Sequence, residues 1–265
     1  MAGLAAPTGT IPARPLIRVT SCWEERRDTT VHPMDPDQPP GNPESDPPDE
    51  GVAPGEPRLP VMLTLTVAAA LPLLMPDQLL PGPRWVFPVI VVSLAVAMFV
   101  LDPGRIDRRS QAVHRVRILL LLVLVIGTSW ATAALTRILI VGSASITNSA
   151  TELLRAGALV WIGLIITFAF LYWELDLGGP GERAHKVREY PDLAFPQELN
   201  PGLARPGWRP TFIDYLYLGL TNSLAFSPTD VMPLAHWAKI AMGLQSVASL
   251  AVIGLVIARA VNILQ

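Results

Sequence analysis

Residues 118–140 read ILLLLVLVIGTSWATAALTRILI, with one charged side chain, Arg137. The apolar residues leave no polar face, so the run cannot lie on a water-soluble surface as an amphipathic helix. As a helix, it would be about 35 Å long at 1.5 Å per residue, enough for a hydrocarbon core of roughly 30 Å. Four further stretches have the same character. They run from Leu59 to Leu80 (broken by Pro72 and Pro76), from Trp85 to Leu101, from Leu153 to Trp173 and from Ile240 to Ile263. Trp85, Trp161, Tyr172, Trp173 and Trp237 lie mostly near the ends of these runs, where an aromatic belt is expected. The fold expected is all-α: a polytopic membrane helix bundle of about five transmembrane helices plus one re-entrant half-helix.

Composition removes several function classes. Charged residues make up only 16% of the chain and avoid the apolar runs. A net charge of −2 argues against nucleic acid as a partner. The single Cys22 excludes an internal disulfide framework and a thiolate metal site. His32, His114, His185 and His236 show no ligand spacing, so no metal and no cofactor is expected. No nucleophile–base set or phosphate loop is visible, which ranks an enzyme or transporter last.

Residues 1–58 are rich in Pro, Asp, Glu and Gly, with ten prolines between Pro33 and Pro60. Such a segment buries too little apolar surface to offset the entropy of ordering and is expected to be a disordered tail. No apolar run within the first 30 residues suits a signal peptide, and Met34 offers a second start. The remaining divisions are a four-helix region at 59–174, a polar cytoplasmic loop at 175–210 and a C-terminal module at 211–265.

Lys and Arg set the orientation. Arg105, Arg108, Arg109, Arg115 and Arg117 follow the second run, and Arg183, Lys186, Arg188, Arg205 and Arg209 follow the fourth. The connection from Val141 to Glu152 has none. The excess of positive charge places the N-terminus and both basic loops in the cytoplasm of a multi-pass cell-membrane protein. Arg137 and Arg155 are expected to snorkel to the interface. Glu174 and Asp176 are expected as an exposed acidic pair at the cytoplasmic edge, which with His185 would otherwise form a gate or proton site.

The C-terminal module begins with Phe212-Ile213-Asp214-Tyr215-Leu216-Tyr217-Leu218-Gly219-Leu220-Thr221, apolar but short for a crossing. A turn-rich stretch from Asn222 to Asp230 follows, then Val231-Met232-Pro233 and the last long run. Half-length helix, polar turn and full helix together describe a re-entrant loop, which is tolerated at membrane depth only where it lines water or is buried in protein.

This segment resembles the pore module of two-helix potassium channels over about 55 residues. Asp214-Tyr215-Leu216-Tyr217 matches the opening of the family's pore helix, and Asp214 and Asp230 stand at the family's aspartate separation. Ala238-Lys239 and Ile257-Ala258-Arg259 resemble its inner helix. The filter positions, however, read Phe226-Ser227-Pro228-Thr229, without either filter glycine. Successive inward carbonyls need conformations that glycine permits and that Pro228 restricts. The resemblance therefore implies a pore-like module that lacks potassium selectivity. The whole chain also resembles a family of bacterial integral membrane proteins of unknown function, on Asp214 to Tyr217, Thr229-Asp230-Val231 and Val261-Asn262.

Potassium-channel pore loops enter from outside, whereas four preceding spans from a cytoplasmic N-terminus would make this one enter from inside. A sixth full crossing, or a first stretch that does not span, are the alternatives. Asn222, Ser223, Ser227, Thr229, Asp230, Gln245 and Ser249 are the candidate pore-lining residues, since their oxygens could replace part of an ion's hydration shell. Capping and hydrogen bonding between helices are the plainer roles for the same side chains. Gly243 and Gly254 are expected to allow bending or close packing. Two functions follow as expectations. One is a homo-oligomeric, channel-like protein in the lipid bilayer, a tetramer if it passes inorganic cations. The other is a non-conducting sensor or assembly subunit.

Overall fold

A computed structural model describes residues 56–102, 110–142, 149–185, 190–205, 207–225 and 230–264. The tail expected to be disordered lies, up to residue 55, outside the described residues. The protein is mostly helical: α1 (Arg58–Leu74), α2 (Val86–Leu101), α3 (Gln111–Val141), α4 (Ala150–Leu175), α5 (Pro180–Ala184), β1 (Leu193–Ala194), α6 (Pro196–Leu199), α7 (Phe212–Ala225), β2 (Met232–Pro233) and α8 (His236–Leu264). Among the described residues, three helices are long and apolar enough to cross a membrane: α3, α4 with its 3₁₀ extension, and α8. Shorter apolar helices, α1 and α2, stand beside them.

Helix α4 is the centre of the bundle. Two thirds of its apolar window is buried, against one third for α3 and α8, and α1, α3, α7 and α8 all pack on it. Where helices approach closely, small residues make room. A Cβ on Gly157 would stand 2.7 Å from the Val256 side chain, and one on Gly219 would stand 3.0 Å from the Ile165 carbonyl of α4. Gly243 and Gly254, expected to serve packing, have nothing within 4 Å of that position and face outward.

Several local boundaries have clear causes. The first apolar stretch stops as a helix at Leu74, short of Leu80, because Met75 precedes Pro76 and is held extended at φ −77°, ψ 148°. Pro72 is accommodated inside the helix. Helix α3 starts at Gln111, seven residues before its apolar run, since Val113 and Arg117 continue its buried face. It ends at Gly142, whose φ of 70° is the left-handed cap that glycine adopts without cost from a Cβ, and whose N–H donates to the Ile138 carbonyl.

The two ends of the bundle can be assigned from named contacts. At one end, Glu56 ahead of α1 meets Trp173 of α4, Asp102 after α2 meets Arg58, and Arg117 near the start of α3 meets Glu174. At the other, Arg155 of α4 donates to the Leu74 carbonyl of α1. Helix α7 begins at the Glu56 end, since the Phe212 N–H donates to the Glu56 carboxylate. The chain is back at that end by β2, which pairs antiparallel with β1 (Leu193↔Pro233, Ala194↔Met232), while the Leu193 N–H bonds to Asp176. Helix α8 then runs to the far end, where Arg259 lies beside Gly142.

Two expectations are corrected here. Tyr172 and Trp173 are 0% and 1% exposed, so they are core residues and not a lipid-facing belt. The Trp173 ring packs edge-on against Phe170 and Phe212. Glu174 and Asp176, expected as an exposed pair, are 2% and 0% exposed because the loop after α4 folds back over them with partners for both. Arg137 and Arg155 are exposed and not buried in the bundle.

Candidate functional site

Two polar assemblies lie inside this largely apolar bundle, and both converge on α7. The first joins α4, α7 and α8. Gln245 projects from α8 toward Asn222 and Ser223 on the facing side of α7, where Gly219 lets α7 approach α4. The amide of Gln245 is saturated. Its Oε1 accepts from the Tyr172 hydroxyl at 2.6 Å and from Asn222 Nδ2 at 2.8 Å. Its Nε2 donates to the Gly219 carbonyl at 2.7 Å and to Ser223 Oγ at 2.8 Å. A side-chain amide has two acceptor sites and two donors, and all four are used.

The neighbours complete the knot. Asn222 Nδ2 also donates to the Met242 carbonyl at 3.0 Å, Ser246 Oγ donates to Asn222 Oδ1 at 3.3 Å, and Ser249 Oγ donates to Ser223 Oγ at 3.1 Å. Asn222, Ser223, Gln245 and Ser249 are each 0% exposed. Hydrogen bonds between membrane helices average about 0.6 kcal/mol, so the knot fixes register more than it adds stability. Losing one member is costlier, about 1–3 kcal/mol for each buried polar group left without a partner.

The second assembly closes the bundle at the Glu56 end. Asp176 Oδ2 accepts from the Tyr215 hydroxyl of α7 at 2.6 Å, and its Oδ1 accepts from the backbone N–H groups of Asp192 and Leu193. Arg183 of α5 donates to the carbonyls of Trp173 and Asp176 at 2.7 and 2.8 Å and pairs with Glu56 Oε1 at 3.0 Å. Its guanidinium lies 4.9 Å from the centre of the Tyr215 ring. Burial alone would lower the Arg183 pKa, but the surrounding negative groups, Glu56 and Asp176 among them, raise it, so Arg183 stays charged. Glu56 Oε2 accepts from Trp173 Nε1 at 2.8 Å and from the Phe212 N–H at 3.1 Å. Beside these, Glu174 pairs with Arg117 Nε at 2.8 Å and lies 3.0 Å from His114 Nδ1. At the start of α7, Asp214 accepts from the N–H and hydroxyl of Thr211, the reciprocal half of a helix cap.

Of the sequence candidates, the structure brings together Asn222, Ser223, Gln245 and Ser249. Asp230 is exposed, on the path back to β2, and not part of the knot. Ser227 and Thr229 lie outside the described residues. His185 does not join Glu174 and Asp176; its Nδ1 lies 2.7 Å from the Gly181 carbonyl. Sequence reasoning missed Tyr172, Glu56, Arg117, Arg183 and Tyr215. The arginines read as basic cytoplasmic loops, Tyr172 as a belt residue, and Glu56 as part of the disordered tail 1–58, whose last residues are instead packed on the bundle, Arg58 opening α1 and Glu56 bonded to Trp173, Arg183 and Phe212. The Gly219 carbonyl had no signal, because its role depends on where α8 lies. Among the described residues, no group of three or more His, Cys, Asp or Glu could hold a metal ion.

No protein-family model, curated protein or solved structure matches the chain.

Proposed function

We propose that the chain is a multi-pass cell-membrane protein with five crossing helices and a re-entrant α7, that it does not conduct ions, and that it acts as a membrane sensor or assembly subunit. The observation that carries the non-conducting reading is the saturation of Gln245. A side chain that coordinates a passing ion needs free oxygen lone pairs facing water. Here both lone-pair sites of Gln245 Oε1 are occupied by protein donors in a single chain, and the surrounding knot has no exposed member.

The crossing count is supported by lengths. Helix α1 runs from beside Trp173 to beside Arg155. That separation along α4 corresponds to about 27 Å of helix, close to a hydrocarbon thickness of roughly 30 Å. Helix α7, at 14 residues, reaches only about 21 Å. Both ends of its segment, Phe212 and Met232, sit at the Asp176 end, which supports entry and return from one side. The Arg-rich connections at that end support a cytoplasmic location for it. A homo-oligomer, which conduction would require, is not needed in this reading.

Flux into proteoliposomes tests it. Wild-type protein, Gln245→Leu and Asp230→Ala are expected to admit rubidium or sodium no faster than protein-free liposomes. Wild-type influx above that background, altered by Asp230→Ala, would overturn the reading and restore the pore.

A further inference from the structure

Between α1, α3, α4 and the turn before α2 lies an apolar cavity that is partly open to the outside. Its walls include Leu71, Met75, Leu79, Phe87, Leu124 and Ile166. It extends from the middle of the bundle to Leu80 and Pro81 at the end opposite Glu56. No charged side chain lines it.

Its polar side chains are Thr128 of α3 and Thr167 of α4, whose hydroxyl oxygens are 2.7 Å apart. Thr64, Thr66 and Thr221 each donate to the carbonyl four residues back in their helix, which is how a helical threonine usually satisfies its proton in an apolar setting. Thr128 and Thr167 make no such bond among the described residues. Two hydroxyls carry two protons, and the bond between them uses one. One O–H donor is therefore left at the floor of an apolar cavity, where an unsatisfied polar group is costly. A concave apolar site with a few converging polar groups is the usual form of a small-molecule pocket.

We propose that this cavity binds a neutral, membrane-dissolved molecule with a compact hydrocarbon body and an oxygen acceptor, a carbonyl above all, which takes the spare threonine proton. The absence of lining charge selects a neutral ligand. The apolar walls select its body, and the single donor selects its oxygen. The inference deepens the sensor reading by giving it a ligand class, and it rests on that reading for the lipid surroundings.

The test uses the full chain in lipid nanodiscs, with empty nanodiscs subtracted. It compares 1-tetralone with tetralin, the same carbon skeleton without the carbonyl, at matched concentrations in the lipid phase. Wild-type protein is expected to bind 1-tetralone saturably and about three- to tenfold more tightly than tetralin, the range of one net hydrogen bond. Thr128→Val with Thr167→Val keeps the branched shapes and is expected to bind both probes equally, whereas either single variant leaves one hydroxyl proton and is expected to retain the preference. In Gly163→Leu, the new side chain projects beside Leu71 and Thr128 and is expected to abolish saturable binding of both. Three results would overturn the proposal: no saturable binding by wild-type protein, equal affinity of wild-type protein for the two probes (a cavity for lipid chains only), or a carbonyl preference that survives in the double valine variant. None of these results depends on ion flux, so failure here is separable from failure of the non-conducting reading.

Discussion

The Glu56 carboxylate accepts the backbone N–H of Phe212 at 3.1 Å, and so fastens the residue two places before α1 to the first turn of α7. The same carboxylate pairs with Arg183, whose side chain is 3% exposed. The start of the bundle, the loop after α4 and the α7 segment therefore share one half-buried carboxylate. A carboxylate also suits this place electrostatically, because the N-terminus of a helix carries partial positive charge.

Glu56→Ala is expected to cost about 3–5 kcal/mol of unfolding free energy, because Arg183 would be left buried without its charge partner. Glu56→Gln keeps one acceptor oxygen for the Trp173, Arg183 and Phe212 donors and is expected to cost less. Equilibrium unfolding in mixed micelles measures both. A loss below about 0.5 kcal/mol for the alanine variant would show that the pair is not held in the membrane-embedded protein.

Gly219 and Gly243 make opposite forecasts from the same substitution. Alanine is ordinarily the better helix former by about 1 kcal/mol. At Gly219 the added Cβ would stand 3.0 Å from the Ile165 backbone carbonyl, which cannot swing aside. Gly219→Ala is therefore expected to destabilise by about 1–3 kcal/mol, as overpacking does. Gly243→Ala meets nothing within 4 Å and is expected to be neutral or stabilising. The pair is measured by the same unfolding titration, and equal signs would show that α7 does not approach α4 this closely.

Cysteine labelling checks the path of the chain. In a Cys22→Ser background, an impermeant maleimide added to intact cells is expected to label Gly82→Cys and Asn262→Cys. It should label Tyr190→Cys and Leu234→Cys only after permeabilisation. Labelling of Leu234→Cys and Tyr190→Cys from opposite faces would mean that the α7 segment crosses completely.

Much of the helical skeleton was readable because lipid-compatible helices are apolar all round, and 18 or more such residues in a row have few alternatives. The run from Ile118 to Ile140 was recovered inside α3, and the runs from Leu153 to Trp173 and from Ile240 to Ile263 inside α4 and α8. The short apolar helix from Phe212 was also visible, but Asn222 to Ala225, expected to open the polar turn, continue it as helix. Polar groups at the edges were misread. Trp173, Glu174 and Asp176 close an apolar run in the manner of interface residues, and nothing local announces that Arg183 and Leu193 fold back onto them.

The sequence by itself determined that the protein is helical and which helices are apolar enough to meet lipid, since that depends only on the solvation of consecutive side chains. It also marked Asn222, Ser223, Gln245 and Ser249 as polar groups needing an explanation. Only the tertiary structure decided their partners. A hydrogen bond between Gln245 and Tyr172 joins residues 73 positions apart, and its existence depends on the crossing of α4, α7 and α8, a relation between helices that no local pattern encodes.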